Sequence, residues 1–127
     1  MINRIGRMAV LVFLLAATWS GEAAAGKALV VHATVSRGVG DTFSFTAMVK
    51  HADTGWKHYA NKFEIPSPDG HVLGTRVLYH PHVSEQPFTR GLGNVKIPSG
   101  ITSVIVRAWD SVHKAGEVTF TVKLPGR

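Results

Sequence analysis

The chain has 127 residues, a formal net charge of +6, seven histidines and no cysteine. The absence of cysteine excludes a disulfide framework and any thiolate metal site. Lysine and arginine are spread singly along the chain with no run of three. This spacing favours a solvated surface over a nucleic-acid interface.

The first 25 residues have the pattern of a signal peptide. Two arginines precede an apolar run over residues 8–18, and Ala23 and Ala25 offer small side chains for cleavage. The run is short for a membrane span, and no cysteine lies near the cleavage point to carry a lipid anchor. We therefore expect a cleaved leader, residues 1–25, and a single mature domain, residues 26–127, that is periplasmic or secreted and has no membrane span.

The mature chain alternates apolar and polar residues with the period of two that is typical of β-strands. The segments with this pattern are residues 28–36, 42–50, 59–65, 71–79, 88–97, 101–109 and 117–124. Glycine and proline turn residues separate many of them, and no segment has a helical period. The pattern predicts an all-β fold, a seven-stranded antiparallel β-sandwich of immunoglobulin or fibronectin type III style.

The longer connections of this predicted sandwich hold most of the histidines. If each strand runs opposite to the one before it, the second, fourth and sixth connections meet at one end of the domain. Those three connections are long and polar, whereas the others are short and made of turn residues. Five histidines lie in the three long connections: His51, His58, His80, His82 and His113. The sequence therefore predicts a histidine-rich site at one end of the sandwich.

Imidazoles that converge on one point are typical of a site for copper or zinc. His80 and His82 project to the same side of an extended backbone, and Pro81 between them restrains that backbone, so this pair is the first candidate for chelation. His51 and His113 are the next candidate ligands, followed by His58. Copper(II) is the metal that nitrogen and oxygen ligands bind most tightly. The expected role is metal storage, delivery or tolerance.

Three carboxylates in or beside the same connections are candidates to support the site. Each is able to act as a ligand or to hold the second ring nitrogen of a ligating histidine. They are Glu85, Asp110 and Asp53.

Two other functions fit the same connections. One is a non-catalytic recognition module that binds an envelope protein or polysaccharide through aromatic and polar side chains: Trp56, Tyr59, Gln86 and Arg90. A tryptophan at this point of a sandwich is, however, more typical of the core. The other is a metalloenzyme with an open coordination position. No serine lies in a nucleophile elbow, so we expect no catalytic residue and no enzyme.

Three blocks of the sequence resemble those of a group of small exported bacterial proteins. The blocks are HADTGWKHYANKFEI over residues 51–65, GTRVLYHPHVSEQPFTR over residues 74–90, and VRAWDSVH over residues 106–113. The resemblance implies a periplasmic, β-rich domain whose three long connections carry the function, and it implies no particular reaction. Residues 114–116, Lys-Ala-Gly, differ from the glycine-rich continuation of that group, which leaves the shape of the last connection open.

Overall fold

The computed structural model describes residues 26–127, so the predicted signal peptide lies outside the described residues. Within residues 26–127 the chain forms eight strands and no helix, and hence no helix that is long and apolar enough to cross a membrane. The strands are β1 (Leu29–Arg37), β2 (Thr42–Lys50), β3 (Ala60–Pro66), β4 (Val72–Val77), β5 (Phe88–Lys96), β6 (Ser103–Asp110), β7 (Lys114–Ala115) and β8 (Phe120–Lys123).

The strands form two antiparallel sheets. One sheet has the order β1-β2-β5; the other has the order β4-β3-β6-β7, with β8 also paired to β6. The prediction of an all-β, antiparallel fold is confirmed. The assignment to the immunoglobulin or fibronectin type III type stays a prediction.

The alternation in the sequence corresponds to the burial of side chains. On β2, Phe43, Phe45, Ala47 and Val49 are all at most 1% exposed, whereas the residues between them are less buried. Side chains of β3, β6 and β8 in the other sheet belong to the same hydrophobic cluster. Because each phenylalanine buries about 150–250 Å², this shared core holds the two sheets together.

The last strand predicted from the sequence, residues 117–124, differs from the structure. Within this segment only residues 120–123 form a strand, β8, and an additional two-residue strand, β7, precedes the segment at residues 114–115; the two strands pair with different parts of β6. The chain between them passes close to other backbone at Gly116, where a Cβ atom would lie 1.9 Å from the carbonyl oxygen of Ala28. Only glycine fits this approach, and the close passage separates the two short strands.

Three connections meet at one end of the domain, which we call the loop end: residues 51–59, 78–87 and 111–113. The backbone N–H of His51 donates to Oε1 of Gln86 at 3.0 Å, which joins the first connection to the second. The N–H of Ser111 donates to the carbonyl oxygen of Tyr59 at 2.9 Å, which joins the third connection to the first. The predicted gathering of the long connections at one end is therefore confirmed.

At the opposite end of the domain, Arg127 bonds to several turns. The Arg127 guanidinium donates to the carbonyl oxygens of Ile97 at 2.8 Å and Pro98 at 2.6 Å, and to Asp41 at 3.1 Å. These bonds fix the turns at that end, so the two ends of the domain have different chemistry. Of the seven histidines, His71 lies in the turn that connects β3 to β4 at this opposite end.

Candidate metal centre

Three side chains at the loop end place donor atoms together. His51 directly follows β2, His58 precedes β3, and Asp110 is the last residue of β6. One ring nitrogen of each histidine and one carboxylate oxygen lie within 4.8 Å of one another. Among residues 26–127 this is the only group of three or more histidine and carboxylate side chains with such spacing.

The distances within the group suit a single small ion. Nε2 of His51 lies 3.2 Å from Nε2 of His58, and the latter lies 3.2 Å from Oδ1 of Asp110. The carbonyl oxygen of Gly26 lies 3.3 Å from Nε2 of His51 and 3.2 Å from Nε2 of His58. A tetrahedral ion with bonds of about 2.0–2.1 Å holds its ligand atoms about 3.3–3.4 Å apart. Four of the six distances among these four atoms are thus close to those of a coordination shell.

Asp53 orients the ring of His51. Nδ1 of His51 donates to Oδ1 of Asp53 at 2.5 Å, and both side chains are fully buried. With its hydrogen on Nδ1, a neutral His51 presents the lone pair of Nε2 to His58 and Gly26. A carboxylate that holds the far nitrogen of an imidazole is typical of metal-ligating histidines.

Three acceptor atoms surround Nε2 of His58: Nε2 of His51, the carbonyl oxygen of Gly26 and Oδ1 of Asp110. One N–H on His58 cannot satisfy three acceptors at good geometry. The convergence of acceptors therefore favours a cation, either a bound metal ion or an added proton on an imidazole.

Asp110 brings a negative charge into the group. Burial raises the pKa of its carboxyl, but the backbone N–H groups of His113 and Val112 and the neighbouring imidazoles of His51 and His113 lower it by more, so the pKa lies below its ordinary value. Oδ1 accepts from those two N–H groups at 2.7 and 2.9 Å. Oδ2 is buried and has no hydrogen-bond partner in the described part of the chain. A buried oxygen without a partner costs about 1–3 kcal/mol, which coordination to a cation would offset.

His113 lies at the rim of the group. Its ring centroid is 4.9 Å from that of His58, and its Nδ1 lies 3.3 Å from Oδ1 of Asp110. The side chain is 39% exposed. His113 is therefore placed to cover the group or to contribute a further ligand after a small rotation.

The two histidines ranked first from the sequence, His80 and His82, lie outside this group. Their rings are 4.7 Å apart, but Nε2 of His82 accepts from the Arg90 guanidinium at 2.9 Å. The ring of His82 also stacks on Phe88, with a centroid distance of 3.9 Å. His80 is exposed. Metal binding by this pair stays a prediction, and the structure brings together a different set.

The carboxylates predicted to support the site have three different positions. Asp53 holds His51, as a supporting carboxylate would. Asp110 lies inside the group, in the place of a ligand rather than a support. Glu85 lies 3.8 Å from Arg90 and is absent from the group of donor atoms.

The residues predicted for a recognition surface are also divided. Gln86 and Arg90 bond within the domain, Gln86 to His51 and His82 and Arg90 to His82. Trp56 is 68% exposed, which shows that the expectation of a core tryptophan is wrong. Its ring contacts Tyr59 edge to face at 5.7 Å.

The reasoning from sequence missed Gly26. The signal was available in the strand order, since the start of the first strand lies at the same end as the long connections. A glycine has no side-chain ligand, however, and only its main-chain carbonyl oxygen enters the group.

The environment of His82 predicts a pH dependence of stability. Burial, the Arg90 guanidinium and His80 lower the pKa of His82 below its ordinary value of about 6.5. Between the two pKa values the unfolded chain binds more protons, so the free energy of unfolding should fall as the pH drops below about 6.5 and be fully retained above it. Urea unfolding between pH 5 and 8 measures this slope. It should become shallower in His82→Gln, which keeps an acceptor for Arg90; an unchanged slope would contradict the assignment to His82.

Comparison with known proteins finds a relative that matches most of the chain. A protein of Halomicrobium mukohataei described as "Putative lipoprotein" is 36% identical to the chain over 90 residues, which are 71% of this chain and 44% of the relative. The chain therefore spans less than half the length of that relative. No protein-family model matches the chain, and no solved structure matches it.

Proposed function

We propose that this protein is an exported domain that binds one transition-metal ion, copper(II) or zinc(II), through His51, His58 and Asp110. The observation that carries the proposal is the convergence of two imidazole nitrogens and a carboxylate oxygen within 4.8 Å of one another, in a group where the second oxygen of Asp110, Oδ2, is buried and has no hydrogen-bond partner in residues 26–127. The roles that we propose for the bound ion are storage, delivery or tolerance.

The donor set decides between metals. Two imidazole nitrogens and one carboxylate oxygen, with no thiolate, suit zinc(II), copper(II) and iron(II). Affinity in such sites rises from iron(II) to copper(II) and falls again at zinc(II). We therefore expect copper(II) to be the metal ion that this site binds most tightly, followed by zinc(II).

Export is supported from two sides. The first 25 residues have the pattern of a cleaved signal peptide, and the relative from Halomicrobium mukohataei is described as a lipoprotein, a class of exported proteins. Copper(II) and zinc(II) in an exported compartment meet no competing thiolate on this chain, which has no cysteine.

Metal titration tests the proposal. The processed protein is titrated with copper(II), zinc(II) and, without oxygen, iron(II), while its thermal stability is followed. An ion that binds only the folded state at a hundredfold excess over Kd stabilises it by about 2.7 kcal/mol. We expect saturation at one ion per chain, and weaker binding near pH 5, where imidazoles become protonated. No rise in stability with any of the three ions would contradict the proposal.

Exposed apolar side chains at the loop end favour a second function, the docking of a protein partner. Three such side chains are each more than 60% exposed: Trp56, Tyr79 and Val83. They lie in two of the three connections, residues 51–59 and 78–87. Tryptophan and tyrosine are typical anchors of protein interfaces. Delivery is supported if a Trp56→Ala variant still binds metal but no longer binds an envelope partner or transfers metal to it. Recognition alone is favoured if a partner binds the parent protein and the protein shows no response to metal.

A further inference from the structure

Two independent observations concern Gly26. Its carbonyl oxygen lies 3.2 and 3.3 Å from the Nε2 atoms of His58 and His51, within the group that forms the candidate metal centre. It is also the residue that follows the small residues Ala23 and Ala25, the predicted cleavage point. The residue that export would turn into the N-terminus is therefore the residue whose main chain already faces the metal ligands.

We propose that cleavage of the Ala25–Gly26 bond completes the metal centre, by making Gly26 a chelating ligand through its carbonyl oxygen and its new α-amino nitrogen. The inference rests on the proposed metal-binding function and adds a ligand that cleavage creates. Hydrolysis of the bond consumes one water, leaves a carboxylate on Ala25 and releases Gly26 as an ammonium group. That ammonium loses one proton when its nitrogen binds the ion.

The amide nitrogen of an uncleaved chain cannot take this role in the same way. Its lone pair is delocalised into the peptide bond, whereas the lone pair of a free amine is available to a metal. The amine and the carbonyl oxygen of one residue close a five-membered ring around an ion. Cleavage also removes the preceding residue, so rotation about the Cα–C bond of Gly26 is free to bring the amine beside the carbonyl oxygen.

The surroundings of Gly26 leave room for this arrangement. A Cβ atom on Gly26 would have as its nearest neighbours the ring atoms of His113 at 3.6 to 3.8 Å, an ordinary contact distance. The residue therefore lies against His113, with His51 and His58 on its carbonyl side. Imidazole nitrogens, a carboxylate, a carbonyl oxygen and an amine would together surround one ion.

The consequence is a site whose affinity depends on processing. The precursor holds two imidazoles, a carboxylate and a carbonyl oxygen, whereas the exported protein adds an amine. An N-terminal amine has an ordinary pKa of about 7.7–8.0. Because the amine must lose its proton to bind, metal affinity of the processed protein should keep rising with pH up to about 8, beyond the range in which imidazoles titrate.

The test uses the full chain, expressed with its own leader and purified after export. Intact mass gives the N-terminal residue. The matched variant carries one serine inserted between Ala25 and Gly26, so the exported protein begins at that serine and retains every side chain and the carbonyl oxygen of Gly26. Copper(II) affinity is measured for both by competition with a chelator of known affinity, and nitrogen ligands are counted from the electron paramagnetic resonance spectrum of bound copper(II).

We expect an N-terminus at Gly26, an affinity at least about tenfold lower in the serine variant, and one fewer nitrogen ligand in its spectrum. An N-terminus at another residue overturns the inference, and so do equal affinities with identical spectra. His58→Ala in both backgrounds separates the two proposals. If both parent proteins bind equally and both lose binding with His58→Ala, only the role of the amine fails. If neither parent protein binds copper(II), the metal-binding function and this inference fail together.

Discussion

Replacement of His58 by alanine is expected to lower the affinity for copper(II) and zinc(II) at least about 100-fold, because even a group that only supports a ligand is typically worth 10–100-fold. Nε2 of His58 contacts His51, Asp110 and the carbonyl oxygen of Gly26, so its loss removes the donor at the middle of the group. The side chain is 23% exposed, and its truncation should leave the fold intact. Isothermal titration with each metal measures the affinity, and circular dichroism checks the fold.

Two matched variants make this result specific. His71→Ala removes an exposed histidine at the opposite end of the domain and should leave metal affinity unchanged. His80→Ala combined with His82→Ala removes the pair that the sequence ranked first. If that double variant loses binding while His58→Ala retains it, the pair ranked first from the sequence binds the metal and the group described in the structure is not the metal centre.

The second large effect is expected at Asp53. Its carboxylate accepts from Nδ1 of His51 at 2.5 Å, from the N–H of Ala60 at 3.0 Å and from the N–H of His82 at 2.8 Å. Asp53→Ala leaves three buried donors without this acceptor, and each lost partner costs about 1–3 kcal/mol. We expect the free energy of unfolding, measured with urea, to fall by about 3–5 kcal/mol.

Asp53→Asn refines the measurement, since an amide retains one oxygen acceptor and should lose less stability than alanine. The control is Asp69→Ala, in the exposed turn between β3 and β4. The urea concentration at the midpoint of its unfolding should be close to that of the parent protein. If Asp53→Ala is as stable as this control, Asp53 does not tie the loop end together. Metal affinity of Asp53→Asn should also fall by about 10–100-fold, because His51 loses the group that orients it.

The strands were predictable because their signal is local. On β2 the alternation of Phe43 and Phe45 with polar neighbours follows directly from the pleat of a strand beside a core. The short strand β7 and the late start of β8 were not predictable, because they depend on the approach of Gly116, between them, to the carbonyl oxygen of Ala28, a residue almost ninety positions away. Close backbone approaches of this kind leave no periodic trace in the sequence.

The candidate site shows the same division. Strand alternation was enough to predict that the long connections share one end, and His51, His58 and His113 do lie there together. The ranking of His80 and His82 came from their spacing and from the restraint of Pro81 between them. The spacing of two histidines does not reveal their contacts with β5, where Arg90 donates to Nε2 of His82 and Phe88 stacks on the face of its ring.

The sequence by itself determined the β-strands, their buried faces and the concentration of imidazoles at one end, because these depend on side-chain periodicity and on the direction of consecutive strands. Only the tertiary structure decided which imidazoles face each other, and it added a carboxylate at the end of β6 and the main chain of Gly26 to them. Coordination requires donor atoms to be placed within a few tenths of an ångström. Placement at that precision is set by the packing of the two sheets and by hydrogen bonds between connections that lie far apart along the chain.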